Sequence, residues 1–109
     1  MLNPNDIEKF QKDLSDSKRF HLQANLAKLL SDPTRLKILY VLTNATFVCP
    51  SDFSEIIGLS LPAISHQLAM LKQMGIVETV RHGQMICYSL GTSQEGKNIR
   101  QIITAGKFV

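Results

Sequence analysis

The chain has 109 residues, the length of one domain with a modest core. Hydrophobic residues make up 44% and charged residues 19% of the sequence, a composition that excludes a disordered or fibrous protein. The net charge of +3 arises wholly in residues 61–109, where five Lys and Arg stand against two Asp and Glu. That excess favours an anionic partner, although a basic surface without such a partner has the same composition.

The N-terminal segment and the hydropathy of the sequence indicate the cellular compartment to expect. Charged residues interrupt the first 14 positions, so no secretory signal is expected. No apolar run approaches the roughly 18 residues that span a bilayer. We therefore expect a cytoplasmic protein with no membrane partner. In that compartment the two cysteines are not expected to form a permanent structural disulfide.

The first part of the chain has the apolar spacing of helices. Ile7, Phe10 and Leu14 predict one amphipathic helix from about residue 5. A second helix is predicted up to Leu30, and a third, mostly buried helix from Thr34 to about residue 42. These helices precede the part of the chain with the strongest motifs.

Two short helices follow, joined by three residues. The first is predicted over 50–57 and ends at Gly58, which suits the left-handed conformation that stops a helix. Ser60 then caps a helix that runs over 61–74. A connection of this length between two helices indicates a helix-turn-helix over 50–74.

The pattern changes after this motif. Residues 76–81 and 85–90 are strand-like runs around a His-Gly-Gln turn, which predicts a β-hairpin over 76–90. Thr92 then caps a final helix over 92–109. The predicted fold is mainly α (α+β by content), a winged helix-turn-helix in a single domain over 1–109.

Residues 26–90 resemble the ArsR/SmtB (arsenic-repressor type) family of regulators. The resemblance is carried by the runs LAKLLSDPTRLKILYVL and SDFSEIIGLSLPAISHQLAMLKQMGIVETVRHGQMICYSL. It implies a homodimeric repressor that binds double-stranded operator DNA and leaves it on a signal. Two-fold symmetry implies an operator that is an imperfect inverted repeat.

The helix over 61–74 is the expected recognition helix. His66 and Gln67 can hydrogen-bond base edges, while Pro62 and Ala63 can contact a thymine methyl group. Relatives often place polar residues early in this helix, whereas this chain has Leu61, Pro62 and Ala63 there, so readout can depend on apolar contacts and DNA shape. The alternative is that the polar residues are simply the solvated side of an amphipathic helix.

Other residues are expected to contact the DNA backbone. The helix start at Ser60 presents free N–H groups and a positive dipole end, and Ser65 and Lys72 suit phosphate oxygens. A wing of this kind lies along the backbone or reaches into the minor groove, unless it is only a solvated turn. The wing residues expected at the DNA are Arg81, His82 and Gln84.

Apolar stripes at both ends of the chain predict a dimer interface. Family members dimerise through the corresponding terminal helices, here residues 1–30 and 92–109. Packing onto the protein's own core is the alternative for the N-terminal stripe. The residues of the predicted interface are Ile7, Phe10, Leu14, Ile99, Ile102 and Ile103.

The signal is less well defined by the sequence. Cys49 matches the first cysteine of metal-sensing relatives, but Ser51 stands where arsenic sensors often carry a second. Cys49, Asp52 and His21 make only a partial ligand set for a metal ion. A thiol switch is the rival, because Cys49 precedes a helix, whose dipole stabilises a thiolate. Cys87 is either its partner or a small buried hydrophobe.

Two other classes of function differ in how well they fit the sequence. A winged-helix module that binds protein instead of DNA fits the same pattern of elements. An enzyme does not, because the sequence has no nucleophile elbow, phosphate loop or metal-hydrolase spacing. We therefore expect a non-enzymatic DNA-binding regulator, with a metal ion or a thiol modification as the possible effector and no resident cofactor.

Overall fold

The structure, a computed structural model, describes residues 1–105 and divides into two units. The first is Met1–Asp32, and the second begins at Pro33. The winged helix-turn-helix lies within the second unit, and a single domain over the whole chain stays a prediction. The first unit contains α1 (Pro4–Asp13) and α2 (Ser17–Leu30); the second contains α3 (Pro33–Asn44), α4 (Pro50–Ile57), α5 (Leu61–Gln73), β1 (Val77–His82), β2 (Met85–Leu90) and α6 (Gln94–Thr104).

Both helices of the first unit begin at a side-chain cap. The Asn3 side chain accepts the Asp6 N–H at 2.9 Å, and Asp16 accepts the Arg19 N–H at 3.2 Å. No residue of α1 is buried in the described chain. The apolar stripe predicted there is therefore exposed, and it consists of Ile7, Phe10 and Leu14. None of the helices within residues 1–105 combines the length and hydropathy of a membrane span.

The core of the second unit is formed by the inner faces of its four helices and the base of the hairpin. Helix α4 packs against both α3 and α5, and α6 packs against α3 and β2. Burial of these apolar side chains is the main favourable term in folding. The side chains with no exposed surface include Ile38, Leu39, Leu42, Phe53, Ile64, Leu68, Leu71, Cys87 and Ile99.

The predicted hairpin is confirmed, and the loop before α4 extends it. β1 and β2 pair antiparallel, from Val77 opposite Leu90 to His82 opposite Met85. On the other side of β2, the Val48 N–H donates to the Tyr88 carbonyl and the Tyr88 N–H to the Val48 carbonyl, both at 2.8 Å. This second pairing was not predicted from the sequence.

The final helix begins one residue later than predicted. Its cap is Ser93, whose side chain accepts the Gly96 N–H at 3.1 Å. Thr92 is not the cap, because its N–H and hydroxyl both donate to the Glu78 carboxylate. The part of the predicted helix beyond residue 105 lies outside the described residues.

The structure also corrects part of the predicted dimer interface. Ile99 and Ile103 are 0% and 3% exposed, because α6 turns them towards α3 and β2. Buried side chains of the protomer's own core are not available to a partner. Ile102 is half-buried. Of the predicted interface, the residues that stay exposed are those of the stripe on α1.

Replacing Gly96 by alanine should destabilise the second unit. Gly96 is buried in the first turn of α6, and an added Cβ would overlap the Gly91 carbonyl oxygen, a backbone atom that has little freedom to move. We expect the free energy of unfolding to fall by about 1–3 kcal/mol, as for other overpacked sites. Urea denaturation measures it, with Lys97→Ala as the exposed control on the same turn. Equal free energies of unfolding for the two variants would contradict the close packing of Gly96 against the Gly91 carbonyl oxygen.

Candidate nucleic-acid interface

The turn between α4 and α5 has the geometry of a helix-turn-helix. Gly58 ends α4 with a φ of +82°, in the left-handed region, and its N–H donates to the Ser54 carbonyl at 2.9 Å. The Ser54 hydroxyl donates to the Leu59 carbonyl at 2.5 Å, which fixes the turn. Ser60 then caps α5 by accepting the Ala63 N–H at 3.3 Å. The predicted helix-turn-helix is therefore confirmed.

One face of α5 is anchored and the other is open. Ile64, Leu68 and Leu71 have no exposed surface, so they fix the rotation of the helix about its axis. At about 100° per residue, the opposite face is defined by the helical repeat. The residues on it, all exposed, are Pro62, His66, Ala69 and Gln73. Ala69 and Gln73 were missed by the sequence analysis, although their spacing from Pro62 and His66 would have identified them.

Most of the residues predicted to contact DNA are accessible. Gln67 differs, because it is half-buried and its Oε1 is shielded from solvent without a hydrogen-bond partner among the described residues. A contact from Gln67 to a base edge requires its amide to turn outward. The predicted residues of α5 and its cap that are exposed are Ser60, Pro62, Ala63, Ser65, His66 and Lys72.

The wing presents its predicted residues at one end of the hairpin. Arg81, His82 and Gln84 are all exposed. The His82 ring packs on Phe47, with 4.9 Å between ring centroids and 42° between the planes. This contact supports the wing from the loop that precedes α4. β1 also packs against α5, so the wing and the open helix face belong to one packed unit.

A basic residue that the sequence analysis missed lies beside α5. Arg35 is in the first turn of α3, and its Nη1 is 3.9 Å from the Met70 sulfur. The contact places a guanidinium at the flank of the open face of α5. The available signal was its position within the run LAKLLSDPTRLKILYVL that carries the family resemblance.

The sequence argued only against a permanent structural disulfide and left Cys87 open as the partner of Cys49; in the structure the two cysteines are joined in a disulfide. The reason is the local strand pairing: with Val48 opposite Tyr88, Cys49 is opposite Cys87, and their Cα atoms are 4.0 Å apart. Both are buried, at 6% and 0% exposed. Cys49 also caps α4, and its N–H donates to Asp52 Oδ2 at 3.1 Å.

Two members of the partial metal set of the sequence analysis, Cys49 and Asp52, are engaged in other contacts. The Cys49 sulfur is bonded to Cys87, and Asp52 accepts a backbone N–H. His21 lies in the first unit, on α2. Within residues 1–105, no three His, Cys, Asp or Glu side chains form a cluster that could hold a metal ion.

Glu78 ties the base of the wing to the segment before α6. Its Oε1 accepts the Thr92 N–H at 2.8 Å and the Thr92 hydroxyl at 2.9 Å. These two bonds, the backbone one first, hold the pKa of Glu78 below its ordinary value of 4.5 and outweigh the opposing effect of desolvation. The ionised carboxylate therefore stabilises the position of the wing.

Known proteins resemble the chain over these elements. The profile of the bacterial regulatory protein, arsR family, matches residues 32–79, from the residue before α3 into β1. The cadmium resistance transcriptional regulatory protein CadC homolog of Staphylococcus aureus is 31% identical, over 94% of this chain and 80% of that protein. The transcriptional repressor SdpR of Bacillus subtilis is 44% identical, over 63% and 76%. The crystal structure of the transcriptional repressor BigR from Xylella fastidiosa aligns with a TM-score of 0.72 at 30% identity, over 91% of this chain and 98% of that one.

Stability should depend on pH through Glu78. Because its folded pKa is lowered, its contribution is present above the unfolded pKa and is lost as the pH falls through the folded pKa. Glu78→Gln should lower the Tm at pH 7. The difference in Tm between this variant and the wild type should become smaller as the pH falls towards 3. Thermal unfolding across this range measures the effect. Glu55→Gln, an exposed acid of α4, is the control, and the same pH profile for both variants would contradict the assignment.

Proposed function

Because the chain belongs to the arsR family of bacterial regulatory proteins, a family of DNA-binding transcriptional repressors, we propose that it is a homodimer covering an imperfect inverted repeat. The observation that carries this proposal is the open face of α5 beside an exposed wing. Repression then follows from occlusion of a promoter, and no catalytic step is part of the proposal.

The geometry of α5 supports insertion into the major groove. Its N-terminal turn is accessible, and His66 projects from the face opposite the core, where a side chain can reach base edges. The backbone N–H groups of the first turn and the helix dipole favour a nearby phosphate. Arg35, Lys72 and Arg81 supply positive charge from three different elements. Phosphate contacts of this kind position a protein on DNA without reading its sequence.

A dimer is supported by the apolar surface of α1. Ile7, Phe10 and Leu14 are each about half exposed, on a helix in which no residue is buried. A partner's surface would remove this stripe from water. Ile102, half-buried on α6, is the remaining member of the predicted interface. Two copies related by a two-fold axis would present their recognition helices roughly one DNA turn apart, about 34 Å.

A redox signal is favoured by the cysteine pair. The disulfide connects the N-terminus of α4, the helix that precedes α5, to β2 of the wing. The Val48 and Tyr88 hydrogen bonds hold the same two segments side by side through the backbone. In the step that we propose, the two thiols form the S–S bond and reduce one hydrogen peroxide to two waters. Oxidation therefore links the start of α4, the helix before the proposed recognition helix, to the wing that the proposal places on DNA.

Substitutions should separate backbone contacts from base readout. Arg81→Ala should weaken binding about tenfold on all sequences and reduce the salt dependence by about one phosphate contact. His66→Ala should instead relax sequence preference by about 1–3 kcal/mol at one base pair. Mobility shifts on the native upstream region and on a scrambled duplex, titrated with salt, measure both, with Lys37→Ala, at an exposed basic residue of α3, as the control. A wild-type chain that binds neither duplex would favour a protein-binding module.

Oxidation should change operator affinity through the cysteine pair. We expect the Kd of the wild type in dithiothreitol and after peroxide treatment to differ by at least about fivefold, the lower end of typical coupling. Cys87→Ser should give one affinity under both conditions. Thiol titration verifies the redox state of each sample. Equal affinities of fully oxidised and fully reduced wild type would leave the disulfide with a structural role only.

A further inference from the structure

The first turn of α5 has an apolar surface where a recognition helix meets the bases. Leu61 is 48% exposed, and Pro62 and Ala63 are exposed beside it. The side chains of these three residues contain no hydrogen-bonding group. The nearest polar side chain, Ser60, caps the helix, its Oγ accepting the Ala63 N–H. The turn therefore offers carbon surface to a groove.

The base edges in the major groove differ in how they meet such a surface. Thymine alone carries a methyl group there, whereas guanine, adenine and cytosine present only donors and acceptors. An apolar side chain against those polar groups leaves them without partners, which costs free energy. Against a thymine methyl group, both surfaces are removed from water. The chemistry of the turn therefore selects for thymine.

We propose that Leu61, together with Pro62 and Ala63, reads thymine methyl groups in each operator half-site, an inference that rests on the proposed DNA binding. Leu61 has the longest side chain of the three, and about half of its surface is exposed. His66 lies one turn after Pro62 on the same exposed face. The helix thus begins with a methyl contact and continues with a polar contact to a neighbouring base.

Uracil substitution tests this readout, because uracil keeps the O4 acceptor and the pairing of thymine and lacks only the methyl group. A duplex is first selected by the full chain from a random-sequence library. Each thymine of a half-site is then replaced by dU, one at a time, and the Kd is measured by fluorescence anisotropy. We expect affinity to fall about fourfold at one or two thymines, the value of one buried methyl group.

Variants at one position assign the effect to a side chain. Leu61→Gln should abolish the loss at those thymines, whereas Leu61→Met, which stays apolar, should retain it. Met74→Ala, which removes a 44% exposed apolar residue from the other end of α5, should also retain it. Because Leu61 and Met74 are both exposed, all three variants should fold, and circular dichroism verifies this.

Each contrary outcome has one meaning. If the wild type binds the selected duplex with steep salt dependence but tolerates dU at every thymine, the methyl readout is wrong and the proposed DNA binding stands. If dU weakens binding equally in Leu61→Gln and the wild type, Leu61 is not the residue that reads the methyl group. If no duplex is selected at any salt concentration, the proposed DNA binding itself fails.

Discussion

The burial of Ile64, Leu68 and Leu71 is the contact on which the rest of the interface depends. With no exposed surface on any of the three, α5 cannot rotate about its axis without uncovering core. That constraint decides which side chains face outward and keeps them on rigid backbone. The proposed roles of Pro62 and His66 follow from the position of this inner face.

The wing is held to this helix layer by contacts at its base and along its outer edge. Glu78 binds the segment before α6 through Thr92, and the backbone of Val48 extends the hairpin by one further pairing. Each contact joins parts of the chain distant in sequence. Together they make the wing part of the packed unit, and the disulfide between Cys49 and Cys87 joins the start of α4 to β2 directly.

Much of this arrangement could be predicted from the sequence, because it depends on local signals. The helix-turn-helix follows from Gly58, the serine cap at Ser60 and apolar spacing, all of which act over a few residues. The positions that sequence reasoning could not resolve depend on tertiary contacts. Cys49 meets Cys87 because of strand register. The apolar stripe that contains Ile99 has the same sequence spacing whether α6 packs on the protein's own core or on a partner. The burial of Ile99 in the structure distinguishes these two arrangements.

Pro62 has a consequence for the thermodynamics of recognition. It occupies the first turn of α5, where its ring fixes φ near the helical value and its missing N–H is no loss. Helix ends ordinarily fray, and ordering a frayed turn against a ligand costs conformational entropy. Here that ordering is already built into the free protein. The turn can therefore meet the groove as a rigid body, without a disorder-to-order transition.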